Sequence, residues 1–101
     1  MYEEYAAEYM MRDISVIRST NHLNLKVHGY VVDETKNVFV IMTKNGRKMI
    51  PKKGSVFRIN LDGRYFDIYG DVISVRPEDR VKYLRRIIKR LKGEYNGKHR
   101  N

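Results

Sequence analysis

Apolar and polar residues alternate with a period of two along much of this chain, the mark of strands that bury one face. Leu23, Leu25, Val27, Gly29 and Val31 interleave with Asn24, Lys26, His28 and Tyr30. Phe57, Ile59 and Leu61 alternate with Val56, Arg58 and Asn60, and Phe66 and Ile68 with Tyr65, Asp67 and Tyr69. Ile14 and Val16 predict an earlier strand, and Ile73 and Val75 a short last one. Val38–Thr43 is almost wholly apolar, so it predicts a strand buried on both faces. Turn signals separate these runs. Asp33–Asn37 is one, and Asn45-Gly46 and Asp62-Gly63 are type I′ hairpin pairs, in which both central residues need positive φ.

Two segments change to a helical period. Residues 3–12 lack Gly and Pro and are good helix formers, with Tyr2, Tyr5, Tyr9 and Met10 on one face. The second helix starts at Pro77, favoured at the first helical position, with Glu78 and Asp79 where the dipole favours acids. It should run to Lys92, with Gly93 ending it. The chain therefore predicts one mostly β domain over residues 1–101. An N-terminal helix covers 1–12, an antiparallel barrel of five or six short strands 13–76, the C-terminal helix 77–92 and a flexible tail 93–101.

The last helix is two-faced. Val81, Tyr83, Leu84, Ile87, Ile88 and Leu91 fill one half of the wheel; Lys82, Arg85, Arg86, Lys89, Arg90 and Lys92 fill the other, with no acid among them. Like charges at three- and four-residue spacing cost an isolated helix about 1–3 kcal/mol in total. A solvated helix would intersperse Glu; one that omits it expects phosphates.

Charge is polarised along the whole chain. Of a net +9, residues 1–35 hold three cations against six acids and residues 36–101 hold 18 against six. That pattern predicts a polyanion at one end and a different partner at the other. Pro51 stops a strand, so Lys52 and Lys53 are expected on a loop beside Gly54, forming a basic rim with Lys44, Arg47 and Lys48. In the Asp33–Asn37 turn, Asp33, Thr35 and Asn37 are suited to bonding their own backbone, and Lys36 is a candidate phosphate contact.

Catalytic chemistry is poorly represented. There is no cysteine, and His22, His28 and His99 have no local pairing that suggests a metal site or an acid–base couple. Adjacent Asp33 and Glu34 point to opposite sides of an extended chain. A self-contained active site, a bound metal and a bound cofactor are all unexpected. The longest apolar run, Val38–Met42, is far too short to span a bilayer, and the acidic N-terminus does not resemble a secretory signal. A soluble, cytoplasmic protein is expected, with no membrane partner.

Three stretches carry a resemblance: Val31–Asn37 (VVDETKN), Ile50–Phe57 (IPKKGSVF) and Arg76–Arg80 (RPEDR), the last approached through Gly70–Ile73. In this order and spacing the chain resembles the archaeal ribonuclease P protein component 1 family, shared with subunits of eukaryotic ribonuclease P and MRP. The resemblance implies an Sm-like barrel with helical extensions. It also implies a non-catalytic subunit of an RNA enzyme that removes 5′ leaders from precursor tRNA, the Mg²⁺ serving the RNA catalyst. The protein would bind the specificity region of the RNA and meet precursor tRNA indirectly. The RNA-binding set is then Lys36, Lys44, Arg47, Lys48, Lys52, Lys53, Arg76, Arg80, Lys82, Arg85, Arg86, Lys89 and Arg90. A zinc-ribbon protein subunit would pair with the N-terminal helix and the strand after it, through Tyr2, Tyr5, Tyr9, Met10, Met11, Ile14 and Val16. The chain departs from the family's habit at Tyr9–Arg12, where a Leu-Ile-Gly-Leu-like run is usual, and at Lys26, where Gly is frequent. The alternative is a general Sm-like or ribosome-associated nucleic-acid-binding module without a dedicated protein partner.

Overall fold

The computed structural model describes residues 2–96. Six strands, β1 (Asp13–Ser19), β2 (His28–Glu34), β3 (Val38–Thr43), β4 (Gly46–Pro51), β5 (Ser55–Leu61) and β6 (Arg64–Tyr69), form one antiparallel sheet in the order β4-β3-β2-β1-β5-β6. The fold is mostly β, as expected. The sheet does not close, so the barrel is approximate, and β4 and β6 remain as its edges. Ile14, Val16, Val31, Phe39, Ile41, Ile50, Phe57, Ile59 and Ile68 turn to the inside, where Phe39 meets Phe57 edge-on at 4.9 Å. Val72, Ile73, Ile87 and Leu91 close the core from the C-terminal side.

Asp62 (φ 55) and Gly63 (φ 94) make the type I′ turn between β5 and β6. At the β3–β4 hairpin only Gly46 (φ 110) is left-handed; the two-residue loop is Lys44-Asn45, so the expected type I′ turn gives way to a glycine-bulge geometry. The predicted strand over Leu23–Val31 is shorter. Its first part is a 3-10 turn, His22–Asn24, and pairing begins at His28. Ile73 ends the 3-10 helix Gly70–Ile73 and does not begin a strand.

The N-terminal helix is reduced to one 3-10 turn, Glu3–Ala6. A helix of ten residues is marginal in water, and tertiary burial decides otherwise. Tyr5 and Tyr9 are drawn into the core, and the chain then runs extended, with Met11 donating to Val31 O and Arg12 O accepting from Val31. The Tyr5 hydroxyl accepts from the Tyr69 amide at 2.9 Å and donates to Asp67 O, so a side chain occupies part of the β6 edge. The C-terminal segment starts with the 3-10 turn Pro77–Asp79, becomes helix α1 (Leu84–Arg90) and continues as a π-helix, Leu91–Asn96, past Gly93. Val81, expected on the covered half, is 66% exposed. Of the expected tail, residues 97–101 lie outside the described residues.

A buried ionic triad joins these parts. A bulge between Val31 and Asp33 breaks the alternation of β2, so Glu34 turns inward with Val31 while Asp33 faces out. Lys52, expected on the surface, also turns in: Pro51 ends β4, the Lys52 amide donates to Asn37 O, and its side chain is fully buried. The Lys52 ammonium donates to Glu34 Oε2 at 2.8 Å and to the carbonyls of Ile73 and Val75 at 3.1 and 3.3 Å. Arg80 grips both oxygens of Glu34, donates to Ala7 O at 3.1 Å, and lies 4.1 Å above the Tyr9 ring. Burial pulls the Lys52 ammonium below its ordinary pKa, the Glu34 hydrogen bond opposing it, and burial pushes the Tyr9 phenol up. Gly70 makes the crossing fit, since a Cβ there would sit 1.8 Å from Lys52 O.

Each of the three family-like stretches therefore contributes one charged side chain to this triad. Glu34→Gln leaves two buried cations without a counter-charge, and should lower the unfolding free energy by about 3–5 kcal/mol. Combined Glu34→Leu, Lys52→Met and Arg80→Met should recover only part of the loss, because the carbonyls of Ala7, Ile73 and Val75 lose their donors. Urea unfolding of these proteins checks both statements; a wild-type midpoint for Glu34→Gln would contradict the first.

Candidate nucleic-acid interface

The triad sets the surface above it. With Lys52 holding the Ile73 and Val75 carbonyls, the chain leaves the 70–73 turn at a fixed place, and Arg76, before proline, is extended (φ −61, ψ 142). Arg76 thus stands beside Lys36 of the β2–β3 turn and Arg86 of α1, around a cleft of about 350 Å³ also lined by Ser74, Val75, Asp79 and Tyr83. Lys36, Arg76 and Arg86 are all exposed. The Arg86 guanidinium lies 4.8 Å from the Tyr83 ring centroid, and Lys82 reaches the same ring at 5.4 Å. One carboxylate, Asp79, is opposed by three cations.

Lys53 is exposed on the β4–β5 loop at this same end of the sheet, since the neighbouring Lys52 amide bonds Asn37 O. Lys82, Arg85, Lys89 and Lys92 extend the exposed charge along the helix. Arg90 is half-buried and donates to Asp71 O at 2.9 Å, which ties α1 to the 70–73 turn. Lys44, Arg47 and Lys48 are exposed too, but the register pairs Thr43 with Gly46 and Val38 with Pro51, so Lys44 and Arg47 sit at the hairpin end of β4, Lys48 at mid-strand opposite Ile41, and Lys53 beyond the other end. The length of β4, roughly 16 Å, divides Lys44 and Arg47 from Lys53. The single basic rim is therefore two separate surfaces.

Two members of the expected RNA-binding set, Lys52 and Arg80, are interior, and their charges are taken up by Glu34. A lysine after a strand-ending proline reads as a loop residue, and nothing local signals a carboxylate 18 residues upstream. Tyr83 was missed as a lining residue, because the helical wheel assigns it to the covered half. The expected partner set divides likewise: Tyr5, Tyr9, Ile14 and Val16 are core residues of this chain. Tyr2 is half-buried in a groove with Glu3, Glu4, Ala7, Leu61, Arg64 and Phe66, while Met10 and Met11 are 37% and 66% exposed.

Among the described residues no group of three or more His, Asp or Glu is placed to hold a metal ion. His28 is paired with Asp13 at 2.7 Å, and His99 lies outside the described residues. Among the described residues no helix is long and apolar enough to cross a membrane.

Comparison with known proteins gives a consistent answer. The family model described as ribonuclease P/MRP, subunit p29, matches residues 5–83. Ribonuclease P protein component 1 of Archaeoglobus fulgidus is 41% identical over 90% of this chain and 89% of its own length. The protein of the same name from Thermoplasma volcanium is 39% identical over 88% of this chain and 97% of its own. Among solved structures, Mth11, described as a homologue of the human RNase P protein Rpp29, superposes with a TM-score of 0.56 at 30% identity, covering 73% of this chain and 97% of that one. The matched span contains all three triad residues and the whole lining of the Lys36–Arg76 cleft except Arg86. With its bent six-stranded sheet and its motif residues in one ionic cluster, the chain belongs to the ribonuclease P/MRP p29 subunit family.

Proposed function

We propose that this chain acts within ribonuclease P as a non-catalytic, RNA-binding subunit that supports removal of the 5′ leader from precursor tRNA. The RNA performs the metal-assisted cleavage with Mg²⁺, and the protein neutralises phosphates and braces the folded specificity region. The observation that carries the reading is the convergence of Lys36, Arg76 and Arg86 on one cleft, continuous with the exposed cations of α1. Structured RNA is recognised largely through backbone and shape, and fixed cations set on a rigid support suit that task. Lys36 and Arg76 rest on segments anchored by the triad, and Arg86 is stacked on Tyr83, so each cation is partly pre-placed before RNA arrives.

The acidic end has a different role in this reading. Glu3 and Glu8 are exposed and repel phosphate, whereas Met10, Met11 and part of Tyr2 offer apolar surface beside them. That surface suits a protein, and the zinc-ribbon subunit is the proposed partner.

Two experiments test these assignments. Replacing Lys36, Arg76 and Arg86 together with Gln should leave the thermal midpoint nearly unchanged, weaken binding to the ribonuclease P RNA and reduce the slope of log affinity against log salt by about two to three units. An unaltered slope would remove the cleft from the RNA interface. Met10→Ser with Met11→Ser should lower affinity for the zinc-ribbon subunit by about tenfold or more while leaving RNA affinity as it was. Normal pairing by that variant in titration calorimetry would rule out the partner surface.

A further inference from the structure

A second concave surface lies at the other end of the sheet, away from the Lys36–Arg76 cleft. It is a groove of about 700 Å³ between the β1–β2 connection and the β3–β4 hairpin, lined by Leu25, Lys26, Val27, His28, Tyr30, Met42, Lys44 and Lys48 among others. Its floor is backbone, because Gly29 lies against β3 so closely that a Cβ would sit 1.8 Å from Met42 O. Tyr30 and Met42 are direct cross-strand partners and so share a face, with Tyr30 41% exposed. Three lysines and no carboxylate line the groove. The neighbouring Asp13 is engaged by His28 at 2.7 Å.

Lys26 supplies an independent observation. Its φ is +68, a left-handed conformation that favours glycine, and it is locked there: its amide donates to Val16 O at 3.1 Å and Val16 donates to Val27 O at 2.9 Å. Nothing about the backbone calls for lysine at this place. Holding a cation on the groove in a conformation that disfavours it points to a ligand that needs the charge.

We propose that this groove binds an unpaired nucleotide, with the base against Tyr30 and the aliphatic wall of Leu25, Val27 and Met42, and the flanking phosphates on Lys26, Lys44 and Lys48. A duplex shows phosphates on a convex surface with its bases inside, and would leave the apolar walls unused; a splayed single strand uses walls and lysines together. The volume falls within the usual range for small-ligand pockets. The proposal rests on the RNA-binding reading above, and adds a second contact of a different kind at the opposite end of the sheet.

The probes are a labelled oligouridylate and a short RNA duplex, measured against the whole chain. Lys26→Gly removes the cation and relaxes the backbone, so it should fold at least as well as wild type yet bind the single strand about fivefold more weakly. Tyr30→Leu keeps apolar bulk and loses the stacking ring, and should cost about tenfold on the same probe. Both variants should bind the duplex like wild type, while the Lys36, Arg76 and Arg86 to Gln variant should lose duplex affinity. Single-strand binding unchanged in Lys26→Gly and Tyr30→Leu, with the cleft variant still impaired, would overturn this inference alone. All variants binding all RNA normally would overturn the parent reading as well. Competition by a glutamate–leucine peptide in a protein indifferent to oligouridylate would make the groove a protein-docking site and defeat the proposal.

Discussion

Glu34 is the constraint on which the rest of the structure depends. Its carboxylate receives Lys52 from the β4–β5 loop and Arg80 from the approach to the last helix, while those cations also hold the carbonyls of Ala7, Ile73 and Val75. Five segments thus meet at one buried ionic cluster. Two cations against one anion is a poor arrangement for stability by itself, since desolvation of each charge is costly and the triad keeps a net positive charge. What it supplies is placement. An apolar core of Ile, Val and Phe would tolerate several approaches of the C-terminal segment, whereas a bidentate guanidinium–carboxylate contact with two further carbonyls tied to Lys52 fixes one.

Placement extends to the surface, because the exposed cations begin where the buried ones end. Val75 is held by Lys52 and Arg76 is the next residue; Glu34 is held by both cations and Lys36 lies two residues on. Interior charge therefore positions surface charge. In each of the three motif stretches, then, one charge is interior, and Lys36, Lys53 and Arg76 of the same stretches stay exposed.

Much of the fold was legible in the sequence. Period-two alternation located β5 and β6, the apolar Val38–Thr43 run gave β3, Asp62-Gly63 turned as expected, and the one-sided charge of residues 82–92 survives as an exposed basic face. The failures at the ionic triad and at the N-terminus share a cause: each depends on a contact distant in sequence. Tyr5 and Tyr9 read as one stripe of a helix and instead enter the core, Tyr5 reaching Tyr69 across 64 residues. Lys52 reads as a loop cation until Glu34 and the 73–75 carbonyls are brought to it. The bulge in β2, which decides that Glu34 and not Asp33 faces inward, leaves no local signature. Family resemblance pointed to the right segments, but it could not sort their charges into interior and surface.

That division is the central claim, and amine-reactive footprinting of the native protein read by mass spectrometry tests it most directly. The account predicts that Lys52 stays unmodified while Lys36 and Lys53 react, and that adding ribonuclease P RNA protects Lys36 without changing Lys52. Modification of Lys52 at the rate of Lys53 in folded protein, or a Lys36 equally reactive with and without RNA, would contradict it.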